Sequence, residues 1–84
     1  MEEQDLYLLV GKNIKKHRKQ YNEKFGKMTQ EMLAEKINTS TSFISRLESE
    51  KIVQSISIST LYKLSLALKV SINKLIEGEQ NEYK

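Results

Sequence analysis

The chain has 84 residues, a formal net charge of +3, a sequence pI of about 9.2 and no cysteine. This length suits one domain with one modest core, and the lack of cysteine excludes a disulfide framework and a thiolate metal site. The N-terminus, MEEQDLYLLV, is acidic where a signal peptide would be basic, and its apolar run is far shorter than a membrane span. We therefore expect a soluble cytoplasmic protein that does not associate with membranes.

Positive charge is concentrated in one part of the chain. Between positions 12 and 27 a single acid, Glu23, stands among seven basic residues: Lys12, Lys15, Lys16, Arg18, Lys19, Lys24 and Lys27. Acidic residues gather instead near the two ends of the chain. Such a run is typical either of a solvated helix face or of a surface that faces phosphates, and charge alone leaves both interpretations open.

The first predicted element is a long amphipathic helix over residues 5–21. It is indicated by side chains that recur at steps of three and four residues: Leu6, Val10, Ile14, Arg18 and Tyr21. The next residues, 22–27, include Gly26 and are predicted to form a loop.

A short second helix is predicted to follow, with Thr29 as its N-cap. Met28 and Leu33 bracket Thr29 in the spacing of a hydrophobic staple. We expect this helix to end near residue 36 and to point Leu33, Ala34 and Ile37 inward.

The hydroxyl-rich stretch NTSTSFIS, residues 38–45, is interpreted as a turn and a surface, not as a linker. Asn38 tolerates the left-handed conformation that ends a helix, and Ser40 is a suitable N-cap for a third helix, residues 40–48. Ile44 and Leu47 would then point inward and leave an outer face of small polar groups with one arginine. Two short helices joined by about four residues match the helix-turn-helix geometry that enters a DNA major groove.

Two further helices complete an all-α prediction with five helices and no sheet. The stretch SISIST alternates like a strand, but Ser57 can cap a fourth helix whose inward side chains are Ile58, Leu61, Leu64, Ser65 and Leu68. Ser71 can cap a fifth helix, with Val70 before it and Leu75 within it. Gly78 is predicted to end a single domain, residues 1–78, which leaves a polar tail, residues 79–84.

Three stretches of this sequence resemble the phage-repressor and Cro-like (Xre-type) helix-turn-helix proteins. They are GKNIKKHRK, TQEMLAEKINTSTSFISRLE and STLYKLSLALKVSINKLI, and the resemblance covers about residues 11–78. It implies a lambda-repressor-like five-helix domain that binds double-stranded DNA. The segment QYNEKFGKM is longer than the family's usual turn, and Asn38 and Lys69 stand where the family commonly has glycine.

The resemblance also implies roles for individual residues. The residues expected to contact bases are Thr41, Ser42, Ser45 and Arg46, and those expected near phosphates are Lys27, Thr29, Gln30, Ser40, Phe43 and Lys51. Gln30 would also brace the recognition helix, and Arg18 would pair with Glu48 to tie helix one to helix three. Two alternatives stay open at this point: Arg18 is free for DNA, or Arg46 holds a phosphate while the hydroxyl groups discriminate between bases.

The residue types argue against catalysis. One histidine, no cysteine and no cluster of acids at ligand spacing provide little for a metal site or for acid–base chemistry. We expect no cofactor, no metal and no small-molecule ligand. A protein-binding adaptor on the same scaffold is the rival to a DNA-binding regulator, and it would need apolar anchors on helix three, where only Phe43 qualifies.

A homodimer on a palindromic operator is expected, because one recognition helix reads only a few base pairs. The candidate interface consists of apolar residues off the inward stripes of helices four and five: Tyr62, Leu66, Ile72 and Ile76. The alternative is that these side chains complete the core against the start of helix one. A phage or mobile-element repressor, a restriction-modification controller and an antitoxin-like autoregulator all fit a chain of this size.

Overall fold

The computed structural model describes residues 2–78, and within that range it contains five α-helices and no strand. The helices are α1 (Glu3–Lys24), α2 (Gln30–Lys36), α3 (Thr41–Glu48), α4 (Ile58–Leu68) and α5 (Ile72–Ile76). The all-α, five-helix prediction is confirmed. The alternating stretch SISIST forms no strand and leads directly into α4. The predicted polar tail, residues 79–84, lies outside the described residues.

α1 is longer at both ends than the periodicity predicts. At its start the Glu2 backbone N–H donates to the Asp5 carboxylate at 3.1 Å, which satisfies a donor that a helix end leaves unpaired. At its end Asn22 remains helical, because its side chain donates to the Arg18 carbonyl at 3.3 Å and accepts from the Met28 backbone N–H. The predicted loop over residues 22–27 therefore begins only at Phe25.

The turn between α2 and α3 follows the predicted chemistry. Thr29 accepts a capping bond from Met32 and Ser40 accepts one from Phe43, each at 3.0 Å. Asn38 has a φ of 61°, and the following backbone N–H donates to Ala34, five residues earlier, at 2.9 Å. This is the bond of a Schellman motif, in which a left-handed residue satisfies the last carbonyls of a helix. The turn therefore holds its shape without glycine.

The caps of α4 and α5 follow the predictions with one exception. Ser57 accepts from the Thr60 backbone N–H at 3.1 Å, so it caps α4 as predicted. Lys69, where a glycine was expected from the resemblance, has a φ of 61° and ends α4 in the left-handed conformation. Ser71 occupies the N-cap position of α5, but its side chain makes no capping bond.

One hydrophobic core joins all five helices. Its buried apolar members are Val10, Ile14, Met28, Leu33, Ala34, Ile37, Ile44, Leu47, Leu61, Leu64, Leu68 and Leu75. Two predicted core residues are exposed instead, Leu6 at 39% and Ile58 at 76%. Leu6 lies near the start of α1, and α1 spans about 33 Å, much longer than the helices it packs against. Ile58 is the first residue of α4 and faces outward, so the buried stripe begins at Leu61.

α1 packs closely against α3 and is also tied to the end of α5. It passes so close to the end of α3 that a Cβ at Gly11 would lie 1.9 Å from the Leu47 carbonyl oxygen. Buried Asn13 donates to the carbonyls of Leu75 and Glu77, both at 3.0 Å, and so ties α1 to the end of α5.

In the described part of the chain, no helix has the length and apolarity needed to cross a membrane.

Candidate nucleic-acid interface

The outer face of α3 consists of small polar side chains and one arginine. Thr41, Ser42, Ser45 and Arg46 are all exposed, whereas Ile44 and Leu47 are buried on the opposite side. This division follows from the spacing, because residues three and four apart share one face of a helix. The four candidate base-contacting residues therefore lie together on one accessible surface, which we name the α3 face.

Arg46 is held in place within the α3 face. Its Nε donates to the Gln54 side-chain oxygen at 2.8 Å, and its Nη1 donates to the Ser42 hydroxyl oxygen at 2.9 Å. Ser42 lies one helical turn before Arg46, whereas Gln54 comes from the segment that follows α3. The guanidinium is thus positioned by one residue of its own helix and by one residue beyond it.

A buried ion pair lies behind the α3 face and joins α1 to α3. Arg18 donates to both carboxylate oxygens of Glu48, from Nε at 2.7 Å and from Nη2 at 2.9 Å. The Arg18 side chain is 12% exposed and the Glu48 side chain 2% exposed. The hydrogen bond from Glu48 raises the pKa of Arg18 above its ordinary value. The pair that the resemblance implied is therefore present and shielded from water.

Gln30 and the loop before α2 extend this network. The Gln30 amide nitrogen donates to Glu48 at 2.9 Å, so the first residue of α2 braces the last residue of α3. Arg18 also donates from Nη1 to the Met28 carbonyl at 3.1 Å. The long connection between α1 and α2 is thus anchored where it enters α2, and α3 is held from two sides.

The candidate phosphate-contacting residues lie around the ends of α2 and α3. Lys27 and Lys51 are exposed, one before α2 and the other after α3. The candidate hydroxyls, on Thr29 and Ser40, accept capping bonds but keep their own O–H groups as donors. Phe43 is partly buried against the core, and its backbone N–H donates to Ser40.

The four candidate dimer residues differ in their surroundings and exposure. Ile72 and Ile76 line an apolar groove of about 390 Å³ together with residues of α1 and α4 that include Leu6 and Ile58. Leu66 lies at a separate depression beside Lys36, Lys63 and Ala67. Tyr62, Leu66 and Ile76 are exposed, whereas Ile72 is partly buried against the core.

His17, the one histidine of the chain, is partly buried. Burial lowers its pKa below the ordinary value, and the positive charges of Lys16 and Lys74 lower it further. The neutral imidazole is therefore the form that the fold favours. Among the residues that the structure describes, no group of three or more His, Asp or Glu side chains is arranged to hold a metal ion.

A helix-turn-helix family model matches residues 26–75, which include α2, the turn, the α3 face and most of α5. The chain belongs to this helix-turn-helix family of Xre-type, lambda-repressor-like proteins. The matched residues contain both the recognition helix and the helix that braces it. As a member of this family, the protein is a DNA-binding regulator of transcription and not an enzyme.

The fold of this helix-turn-helix protein also resembles a solved structure. The crystal structure of a hypothetical transcription factor, NHTF, from Neisseria aligns with a TM-score of 0.76 and 24% sequence identity. The alignment covers 99% of this chain and 87% of the Neisseria chain. At this identity the likeness establishes the five-helix fold. No curated protein sequence matches the chain.

Sequence reasoning missed two residues that shape the interface of this helix-turn-helix protein, Gln54 and Gly11. Gln54 was not singled out, because the segment after α3 has no periodicity that would connect it to Arg46. The contact between α1 and α3 at Gly11 was not predicted, because a glycine inside a helical pattern does not show which element approaches it. One signal was present in the sequence: Ser42 and Arg46 are four residues apart, the spacing at which helical side chains meet.

Proposed function

We propose that this protein is a sequence-specific regulator of transcription, a small dimeric repressor or controller, which reads the major groove of double-stranded DNA with residues 40–48. The observation that carries the proposal is the α3 face. Its exposed side chains are short and polar around one arginine, and such a surface can approach base edges closely. A helix with bulky outer residues would be kept away from them.

The network behind the α3 face supports this function. A recognition helix has to be held rigidly if base contacts are to discriminate between sequences, since misplaced donors lose their partners. Glu48 at the end of α3 is bonded to both Arg18 and Gln30. α3 is therefore held on its inner side, and its outer side stays available to DNA.

Sequence preference is assigned to the residues of the α3 face. Arg46 has the length and the donors to pair with a guanine edge, whereas Thr41, Ser42 and Ser45 act at shorter range. The alternative, in which Arg46 holds a phosphate and the hydroxyls alone discriminate, predicts no base preference from Arg46. The affinities of Arg46→Ala for the preferred site and for scrambled DNA distinguish a base contact from a phosphate contact.

Affinity without sequence preference is assigned to the surrounding residues. Lys27 and Lys51 would neutralise phosphates, and Thr29, Gln30 and Ser40 would donate to them. Phe43 would contact the phosphate wall with its ring, because its backbone N–H already donates to Ser40. These contacts would fix the orientation of α3 on the duplex.

The protein is proposed to act as a homodimer on a palindromic operator in the cytoplasm. The interface is assigned to the apolar residues of α4 and α5: Tyr62, Leu66, Ile72 and Ile76. Three of the four are exposed, which is unfavourable for an apolar side chain that has no partner. Residues 1–78 would form the DNA-binding domain, and residues 79–84 a polar tail.

An adaptor that binds another protein through α3 is less well supported. Its only apolar candidate on that helix, Phe43, is partly buried against the core, so little of it remains as an anchor.

Selection of bound duplexes from a random DNA pool tests the proposed function directly. We expect enrichment of one motif with two inverted half-sites, each containing a guanine that depends on Arg46. Lys16→Ala is the matched control, because it removes an exposed positive charge on α1 that belongs neither to the α3 face nor to the proposed phosphate and dimer contacts. A pool that shows no enriched motif would contradict sequence-specific recognition.

A further inference from the structure

Arg46 is restrained before any DNA is present. The two bonds to its guanidinium come from opposite directions along the chain, from Ser42 at 2.9 Å and from Gln54 at 2.8 Å. An exposed arginine without such partners samples many rotamers and loses that freedom when it pairs with a base. Because Ser42 and Gln54 already orient Arg46, part of this conformational entropy is lost in the free protein, before DNA binds.

The Gln54 side chain is itself oriented. Its amide nitrogen donates to the Ser55 carbonyl at 3.1 Å, which directs the amide oxygen toward Arg46. Gln54 is also partly buried, whereas Arg46 is exposed. The partly buried residue thus positions the exposed one.

The two bonds leave three of the five guanidinium donors available. Arginine has five N–H donors in a fixed fork, and the bonds to Ser42 and Gln54 use one on Nη1 and the one on Nε. None of the residues that the structure describes is bonded to Nη2. The remaining donors are one on Nη1 and both on Nη2, and donors on these two neighbouring nitrogens suit the two neighbouring acceptors, O6 and N7, of guanine.

We propose that Gln54, together with Ser42, is a positioning residue that presents the free Nη1 and Nη2 donors of Arg46 to a guanine and so sets the sequence preference of this protein. This inference rests on the proposed function and deepens it. It gives a role to a residue outside the helix-turn-helix. It also changes the role of Ser42, whose oxygen accepts from Arg46 and keeps its O–H and one lone pair for a base.

The first test compares DNA binding by four proteins on the selected site and on scrambled duplex at one salt concentration. Gln54→Ala should lower the ratio of the two affinities about tenfold, with the loss confined to the guanine step, and should leave scrambled binding nearly unchanged. Gln54→Glu keeps the acceptor for Arg46, so it should retain the ratio while its negative charge weakens binding to both duplexes. Gln4→Ala, an exposed glutamine at the start of α1, is the matched control.

A mutant cycle establishes whether Gln54 acts through Arg46. On an Arg46→Ala background, Gln54→Ala should have no further effect on the ratio. If Gln54→Ala lowers the affinity ratio as much on the Arg46→Ala background as in the wild type, Gln54 contacts DNA independently of Arg46. If Gln54→Ala alone leaves the ratio unchanged, Gln54 does not position Arg46. Either result overturns the inference while leaving the proposed function intact.

The second test needs no DNA. The chain has two arginines, Arg18 and Arg46, so their two Nε–H resonances can be resolved by NMR. Gln54→Ala should accelerate hydrogen exchange at the Arg46 Nε–H and leave that of Arg18, bonded to Glu48, unchanged. If the Arg46 Nε–H exchanges at the same rate in the wild type and in Gln54→Ala, Gln54 does not position Arg46 and the inference is overturned. A wild-type protein that binds DNA without preference would contradict the proposed function instead, and the NMR result separates the two failures.

Discussion

Breaking the ion pair between Arg18 and Glu48 should cost more stability than removing the whole pair. Three variants test this: Arg18→Met, Glu48→Leu and the double variant. In Arg18→Met the Glu48 carboxylate, 2% exposed, keeps only the Gln30 amide as a partner. In Glu48→Leu the Arg18 guanidinium is 12% exposed and keeps the Met28 carbonyl. We therefore expect Arg18→Met to be the more damaging single change.

The magnitude follows from the burial of both charges. Removing one partner of a buried pair costs about 3 to 5 kcal/mol, because an uncompensated charge stays in a poorly solvated site. The free energy of unfolding of a small domain is only about 5 to 15 kcal/mol, so either single change should remove a large part of it. Replacing both partners by apolar groups leaves no stranded charge and is often close to neutral. The double variant should therefore be more stable than Arg18→Met.

Urea denaturation at 25 °C, followed by circular dichroism, measures these free energies of unfolding. The exposed pair between Lys74 and Glu77 is the matched control, with 3.8 Å between its charged atoms and side chains 58% and 50% exposed. Its disruption should cost about 0 to 1 kcal/mol. If Arg18→Met and Glu48→Leu lose as little as this control, the pair is not shielded and Arg18 is available to contact DNA.

Four further outcomes are expected. Gly11→Ala should destabilise the fold by about 1 to 3 kcal/mol or more in urea, because its Cβ would overlap the Leu47 carbonyl; Gly78→Ala, where nothing lies within 4 Å, should not. With Lys27 and Lys51 on phosphates in both protomers, log affinity should fall with log salt at a slope of about −3.6, and a slope near zero would refute those contacts. Leu66→Glu should give a folded monomer by light scattering with weakened operator binding, whereas unfolding would make Leu66 a core residue. The lowered pKa of His17 means that the unfolded chain binds more protons, so stability should fall as pH drops below about 6.5; His17→Gln should remove that part of the pH dependence in melts between pH 7 and 5.

Local chemistry explains why so much of this fold could be predicted. Helix caps depend on a residue and its next three neighbours, so Thr29, Ser40 and Ser57 were identifiable before any packing was known. Asn38 was predictable for the same reason, since few residues other than glycine tolerate a positive φ. The Ser40 cap fixed where α3 begins, and helical spacing then predicted which of its side chains are exposed on the α3 face.

The features that escaped prediction depend on distant parts of the chain. Whether Leu6 is buried depends on how far the partners of α1 extend, which periodicity does not reveal. Asn13 reaches carbonyls at the end of α5, more than 60 residues away, and the bond between Gln54 and Arg46 joins a helix to an irregular segment. The proposed dimer contacts stay a prediction, because the exposure of an apolar side chain does not by itself identify the surface that covers it.

The claim that the α3 face reads DNA sequence is tested most directly by Arg46→Ala on the selected site and on scrambled duplex at one salt concentration. We predict a loss of about 1 to 3 kcal/mol on the selected site, a relaxed preference at one base-pair step in each half-site, and little change on scrambled DNA. Gln30→Ala, measured in parallel, should weaken binding to both duplexes more evenly, because its proposed partner is a phosphate. Equal losses on both duplexes for Arg46→Ala would contradict its role as a reader of bases.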